Sequence, residues 1–570
     1  MRGTKMKNKK ILSPKLFSYI MYVLIIWFAI TFLIYPNLNI LKVIFFQNGT
    51  FKTDSVQKLF SSPRAVKSLK NSFILATTLL FTVNFIGIFL VLVIDYFDVK
   101  GAKILKLGYM TTLIYGGVVL ASGYKFVYGA NGIITGTLVK IFPGMNPNWF
   151  EGYGAVAFIM TFAVTSNHVI FLSNAIKKID YSTIEAAKNM GASQFYILRK
   201  VVLPVLKPTI YAITVLLYIT GLGATSAPLI VGGKNFQTIG PMILTFSQTV
   251  TSRDLAAVLA LVLGIATLIL LSFMIYFEKK GNFMSVSKTK SVIVKQKINN
   301  PVINILVHIV AYILFLIYII PVIFVILFSF TNSKSISTGV ITGFTLQNYI
   351  DVFSNITVLK PFVTSIIYSA GASVIVVILT LAVSRILHKY KNKWSLILEY
   401  VMLIPWILPA TLIAIGLITA FDRKNPLVFG NILTGTVWIL LIAYVIVKIP
   451  FSLRMLKATF FSIDNELEEA ATSLGADTFY TFRKVIFPII LPSTMAILAL
   501  NFNSLLADYD LTVFLYHPLL RTLGIVIRSS TDATQTLKDT QAIALVYSVV
   551  LMIIASTTLY FIYGRNEREK

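Results

Sequence analysis

Long apolar runs separated by short polar stretches extend over the whole 570-residue chain. Phe17 to Tyr35 and Ser72 to Tyr96 are two of them, and runs of this kind recur about twelve times. A bilayer core about 30 Å thick takes roughly 20 apolar residues per helical crossing. The pattern therefore predicts spans over 17–35, 72–96, 106–127, 153–175, 209–231 and 254–277, then 303–330, 362–386, 396–420, 432–453, 490–514 and 541–563. The expected fold class is an all-α polytopic membrane protein of about twelve transmembrane helices.

Composition agrees, with 56% hydrophobic and 13% charged residues. The net charge of +28 raises nucleic acid as a partner. Lys and Arg sit between the apolar runs rather than on one soluble face, so the lipid bilayer is the expected partner and no nucleic acid is. With both termini placed in the cytoplasm, 33 of the 50 Lys and Arg residues fall inside. Six of those outside (Lys42, Lys52, Lys58, Arg64, Lys67, Lys70) lie in the long segment between the first two spans, a kind of segment that crosses regardless of charge. Arg2, Lys5, Lys7, Lys9 and Lys10 ahead of the first run imitate a secretory signal, but the run is too long and lacks a small-residue cleavage site, so a retained span is expected. The chain has no Cys, which excludes disulfides, thiolate metal sites and Cys nucleophiles.

A basic polar stretch containing Lys279, Lys280, Lys288, Lys290, Lys295 and Lys297 divides the chain nearly in half. The expected organisation is a first half over 1–278, a cytoplasmic linker over 279–300 and a second half over 301–570. The halves share one strong repeat, IDYSTIEAAKNMGASQFYILRKVVLPVLKP over 179–208 and IDNELEEAATSLGADTFYTFRKVIFPIILP over 463–492, at an offset of 284 residues. Fourteen of thirty positions are identical, where background usage gives about two. Six spans per half preserve orientation, so two parallel six-helix repeats are expected around a central path.

Each repeated segment falls between the fourth and fifth spans of its half, on the cytoplasmic side, and is far longer than a connector requires. Its pattern predicts a short helix with Glu185 or Glu469 near the start, small residues Ala186, Ala187, Ala470 and Ala471, and an end at Gly191 or Gly475. A second amphipathic stretch follows, with Phe195, Tyr196, Arg199 and Lys200 or Phe479, Tyr480, Arg483 and Lys484, and then Pro204 or Pro488. Aromatic and basic side chains suit the headgroup region, and small residues permit close approach by another protein.

At these residues the chain resembles the permease subunits of binding-protein-dependent ABC importers, whose EAA motif has the same Glu-to-Gly and Gly-to-Pro spacings in both copies. The resemblance implies a fused permease of the type I importer fold in a bacterial cytoplasmic membrane. It also implies that Glu185, Ala186, Ala187, Gly191, Glu469, Ala470, Ala471 and Gly475 form two coupling helices for an ATPase. No G-x-x-x-x-G-K-[ST] loop occurs, and Gly232-Gly233-Lys234 lacks its spacing. Two copies of an ATP-binding cassette ATPase and an extracytoplasmic substrate-binding protein are therefore the implied partners, and the chain itself is expected to be no enzyme, with no cofactor.

GLGATSAPLIVGGKNFQTIGPMI from Gly221, FVYGANGII from Phe126 and LIPWILPATLIAIGLI from Leu403 resemble fused permeases for ferric iron, and similar ones for phosphonate, thiamine, polyamine or sugar phosphate. Ferric iron is the first expectation. YGGVVLASG from Tyr115 lacks the prolines that Pro405 and Pro409 supply in the second half. Asn501, Asn503, Asp508 and Asp510 are candidates for lining a substrate path; the aspartates alternatively sit solvated at the interface. His168 and His308, each alone in its segment, are expected as ordinary histidines rather than metal ligands. A secondary transporter would share twelve spans and a duplication but has no use for the repeated loops. A membrane-bound enzyme would gather carboxylates or His at one membrane face, and no such cluster is evident.

Overall fold

The computed structural model describes residues 14–280, 294–390, 392–530 and 538–563, apart from 48, 49, 114, 115, 178, 462, 464 and 465. The basic residues ahead of residue 14, and Lys288 and Lys290 of the linker, lie outside these. Among the described residues ten helices are long and apolar enough to cross a membrane, and two further pairs qualify only if each bent pair is taken together. The bent pairs, Ala102–Leu113 with Gly117–Ile141 (112°) and Lys393–Ile407 with Ala410–Phe421 (108°), stand where the third span of each half was expected. Pro409 breaks the second pair, since proline cannot continue the hydrogen-bond ladder. The first pair has no proline there and bends beside Gly117, whose φ of +58° lies in the left-handed region.

The fifth spans also differ from expectation. They cover Gln194–Leu222 and Phe482–Leu506 rather than 209–231 and 490–514, because the second amphipathic stretch of each repeated loop does not end at its proline. A π-helical turn, Leu198–Val202 or Phe482–Ile486, precedes Pro204 or Pro488, so the missing N–H falls at a local widening instead of a break. The helix then continues without interruption into the membrane, and the loop proper is correspondingly shorter than thirty residues.

Helices within a bilayer gain little from apolar contact alone, so close approach and hydrogen bonds carry their packing. The second and fifth spans, Pro63–Tyr96 and Gln194–Leu222, meet where a Cβ on Gly221 would stand 2.7 Å from Ala76 Cα. Only glycine permits that crossing.

The first span, Tyr19–Phe45, packs among residues of the second sequence half: the Phe32 ring lies 5.7 Å from that of Phe421, Trp27 Nε1 donates to the Leu427 carbonyl and Asn39 Nδ2 to that of Thr419. Reciprocally, Pro301–Ser329 packs among residues of the first: Tyr318 lies 5.3 Å from Phe162, and Tyr109 donates to the Ala311 carbonyl at 2.7 Å. The two largest buried cores are thereby each built from both halves of the sequence.

The repeat extends beyond the duplicated loop. Leu203–Leu222 and Phe487–Leu506 match end for end at 284 residues. Ile239 N donates to Ser72 Oγ at 2.9 Å, and Leu523 N to Ser365 Oγ at 2.8 Å, the same bond made twice.

Candidate coupling helices and the axis between the repeats

The repeated loops turn and resume through the same hydrogen bonds. The first short helix is Tyr181–Asn189 and the second Glu466–Ser473. Asp180 begins the first by accepting from Ser182 N. Each ends in the same six-to-one closure: Ala192 N donates to the Ala187 carbonyl and Gly191 N to that of Lys188, as Ala476 N does to Ala471 and Gly475 N to Thr472. Gly191 and Gly475 adopt φ of +82° and +85°, which a side chain resists. Ser193 Oγ then accepts from Tyr196 N, and Asp477 Oδ1 from Tyr480 N, capping the next helix at the same position of the repeat.

Glu185, Ala186, Glu469 and Ala470 are exposed, Ala471 is half-buried and Ala187 is buried. The position before each glycine was not singled out in the sequence, yet Met190 is 81% and Leu474 89% exposed. An apolar residue preceding Gly in both copies was the available signal. Two large apolar side chains are thus held out on these turns, next to exposed acids and small residues.

The helices are held to the bundle differently. Ile184 in the first copy is fully buried. The same position in the second copy is Glu468, whose two carboxylate oxygens accept from both terminal nitrogens of Arg385 at the end of Ile356–Lys389. That guanidinium, ahead of the opposing effect of burial, holds the Glu468 carboxyl below its ordinary value. The first loop is also strapped by the segment just before Pro301–Ser329: Gln194 Nε2 donates to the Lys297 carbonyl, and Asn299 N to Gln194 Oε1.

Residues 375–568 match the family of binding-protein-dependent transport system inner membrane components. A probable ABC transporter permease of Sinorhizobium fredii is 38% identical over 540 residues, covering 94% of each chain. The chain is an ABC transporter permease. It is also 23% identical to a putative ferric transport system permease of Haemophilus influenzae, over 90% of this chain and 79% of that one. A putative 2-aminoethylphosphonate transport system permease of Salmonella typhimurium is 26% identical over 37% of this chain and 78% of its own.

At the far ends of its fifth spans this permease brings its two repeats into contact. Ser226 Oγ donates to Asp510 Oδ1, and 226 and 510 are the same repeat position, 284 residues apart. A residue can touch its own counterpart only at the axis relating the repeats. Asp508, two residues away, accepts from Thr512 N and Oγ1 at 3.0 and 2.7 Å. Tyr444 joins Thr512 at 2.5 Å, and Lys448 supplies the opposite charge acting on Asp508. Arg528 Nη2 donates to the Leu229 carbonyl across the repeats at 2.9 Å.

The other two path candidates lie elsewhere. Asn501, 1% exposed, donates to Ser452 Oγ at 2.7 Å, and Asn503 donates to the Ala555 carbonyl at 3.4 Å. Both bonds stay within the second sequence half. Of the four candidates, Asp510 is the one whose hydrogen bond crosses to the other repeat.

His168 is buried with Nε2 3.1 Å from Asn84 Oδ1. His308 Nε2 accepts from Lys100 N. Among the described residues no group of three or more His, Cys, Asp or Glu could hold a metal ion. Gly232-Gly233 is a turn after the short helix Ser226–Val231, with Gly233 at φ +60°.

Proposed function

We propose that this permease imports ferric iron, driven by two copies of a separate ATPase that dock on Tyr181–Asn189 and Glu466–Ser473. In this reading the residues over 1–278 and 301–570 are its two halves, joined by a cytoplasmic linker over 279–300, with both termini in the cytoplasm and an extracytoplasmic binding protein delivering substrate to the opposite face. The observation that carries it is the pair of identically closed loops presenting Glu185, Ala186 and Met190, and Glu469, Ala470 and Leu474, outward.

The route of coupling follows from the continuity of the fifth spans. Gln194–Leu222 is 29 residues long, about 43 Å at 1.5 Å per residue. It begins next to the coupling helix and ends four residues before Ser226; its counterpart ends four residues before Asp510. ATPase closure that moves the two coupling helices moves both ends of these rods, so the Ser226–Asp510 contact opens or closes with the ATP cycle. ATP hydrolysis belongs to the partner, since the chain has no phosphate-binding loop.

Ferric iron is supported by the ferric permease relatives and by carboxylates of Asp508 and Asp510 at the axis, hard oxygen ligands that attract a highly charged cation. The test is uptake of radioactive ferric iron in cells with and without this chain, with unlabelled phosphonate, thiamine, polyamine or sugar phosphate as competitors. Uptake lost with the chain and insensitive to those competitors is the expected result; iron uptake unchanged by deletion refutes the substrate.

A further inference from the structure

A cavity of about 350 Å³ opens at the end of the bundle away from the coupling helices, between the start of the second span and the turn after Ser226–Val231. Arg64 and Lys67, one helical turn apart, and Lys234 line it together with the amides of Asn71, Asn235 and Gln237. No carboxylate lines it. Glu151 packs against Gly233 at the neighbouring turn but stays outside the lining. Among the described residues none of the three cations has an ion-pair partner; the ion pairs are Lys58–Asp254, Arg385–Glu468 and Lys457–Glu399. The walls are fixed, because Asn71 Nδ2 donates to the Gln237 carbonyl at 3.0 Å and Ile239 N to Ser72 Oγ at 2.9 Å.

Three like charges facing one cavity repel each other, and an anion there removes the repulsion while accepting charge-assisted hydrogen bonds. The arrangement is not inherited from the repeat. Ser72 and Ser365 make equivalent bonds, which places Thr357 where Arg64 stands, and the 284-residue offset places Pro518 where Lys234 stands. We propose that this cavity is an oxyanion site for a phosphate-type group, borne either by a free phosphate or phosphonate or by a lipid headgroup. Cations in a rigid, amide-lined recess match a tetrahedral oxyanion with several acceptor oxygens. The site is separate from Asp508 and Asp510 and requires no particular transported substrate.

The purified full chain is tested in neutral detergent for binding of radioactive inorganic phosphate by equilibrium dialysis, and in nanodiscs of phosphatidylcholine with or without phosphatidylglycerol for retention of the anionic lipid. Saturable phosphate binding points to a free anion, and phosphatidylglycerol retention without phosphate binding to a headgroup; either supports the site. In both arms Lys67→Gln or Lys234→Gln is expected to weaken binding about tenfold or more, Lys234→Arg to retain it, and Lys360→Gln, at the position in the second half corresponding to Lys67, to leave it unchanged. Binding of neither ligand, or binding indifferent to Lys67→Gln and Lys234→Gln in chains of unaltered thermal stability, overturns the proposal.

Discussion

Ser226 and Asp510 occupy one position of a duplicated sequence and hydrogen-bond to each other. The contact marks the axis between the repeats and lies four residues beyond the fifth spans, which begin beside the two repeated short helices. Because the chain has no cysteine, Ser226→Cys with Asp510→Cys provides a clean probe. The double variant should cross-link under mild oxidation while either single variant does not. Uptake should stop in the cross-linked protein and, on reduction, recover to the level of the double variant before oxidation. Cross-linking without effect on uptake would remove this contact from the gate.

Arg385 should anchor only the second coupling helix. Arg385→Ala leaves a half-buried carboxylate without its partner, a loss of about 1–2 kcal/mol after allowance for solvent screening. Hydrogen exchange across Glu466–Ser473 should accelerate roughly tenfold, with Tyr181–Asn189 unchanged. The sign of the pH effect follows from the lowered Glu468 carboxyl. The stabilisation is complete above the ordinary value of 4.5 and disappears as pH falls through the lower folded value. The second helix should therefore loosen on acidification below that range in the parent chain, and Arg385→Ala should abolish this dependence.

Ile184 should show the complementary behaviour. It is fully buried at the position Glu468 holds in the other copy, so Ile184→Ala should destabilise the first helix by about 2–4 kcal/mol through lost contact and a residual cavity. Exchange should now accelerate in Tyr181–Asn189 alone, with no dependence on acid pH.

Gly191→Ala and Gly475→Ala test the turns. A Cβ at either position meets nothing within 4 Å, so the cost is backbone strain alone, about 1–2 kcal/mol. Replacement by Asn, which tolerates left-handed geometry, should cost less. Stimulation of the ATPase by the permease should fall in the same order, Gly, Asn, Ala.

The spans were legible because their apolar runs are long, and the loops because identical residues recurred at a fixed offset. The bend near Gly117 was hidden: hydropathy does not register direction, and a glycine breaks a helix as well as the prolines of the second half without resembling them. The ends of the fifth spans were misplaced because the amphipathic stretch before Pro204 or Pro488 was counted with the loop, while the π turns carry its helix through the proline into the span. The meeting of Ser226 with Asp510 was out of reach, since a small hydroxyl opposite a carboxylate has no sequence signature. The 284-residue offset between them was in plain view, but only the fold shows that equivalent positions touch.

The most direct test replaces Glu185 and Glu469 together by Ala and measures co-purification of the ATPase subunit with the permease, alongside its thermal stability. Both side chains are exposed, so stability should be unaltered while ATPase association and ATP-dependent uptake are lost. A stable double variant that still holds the ATPase and transports normally would contradict the assignment of the two repeated helices as the coupling surface.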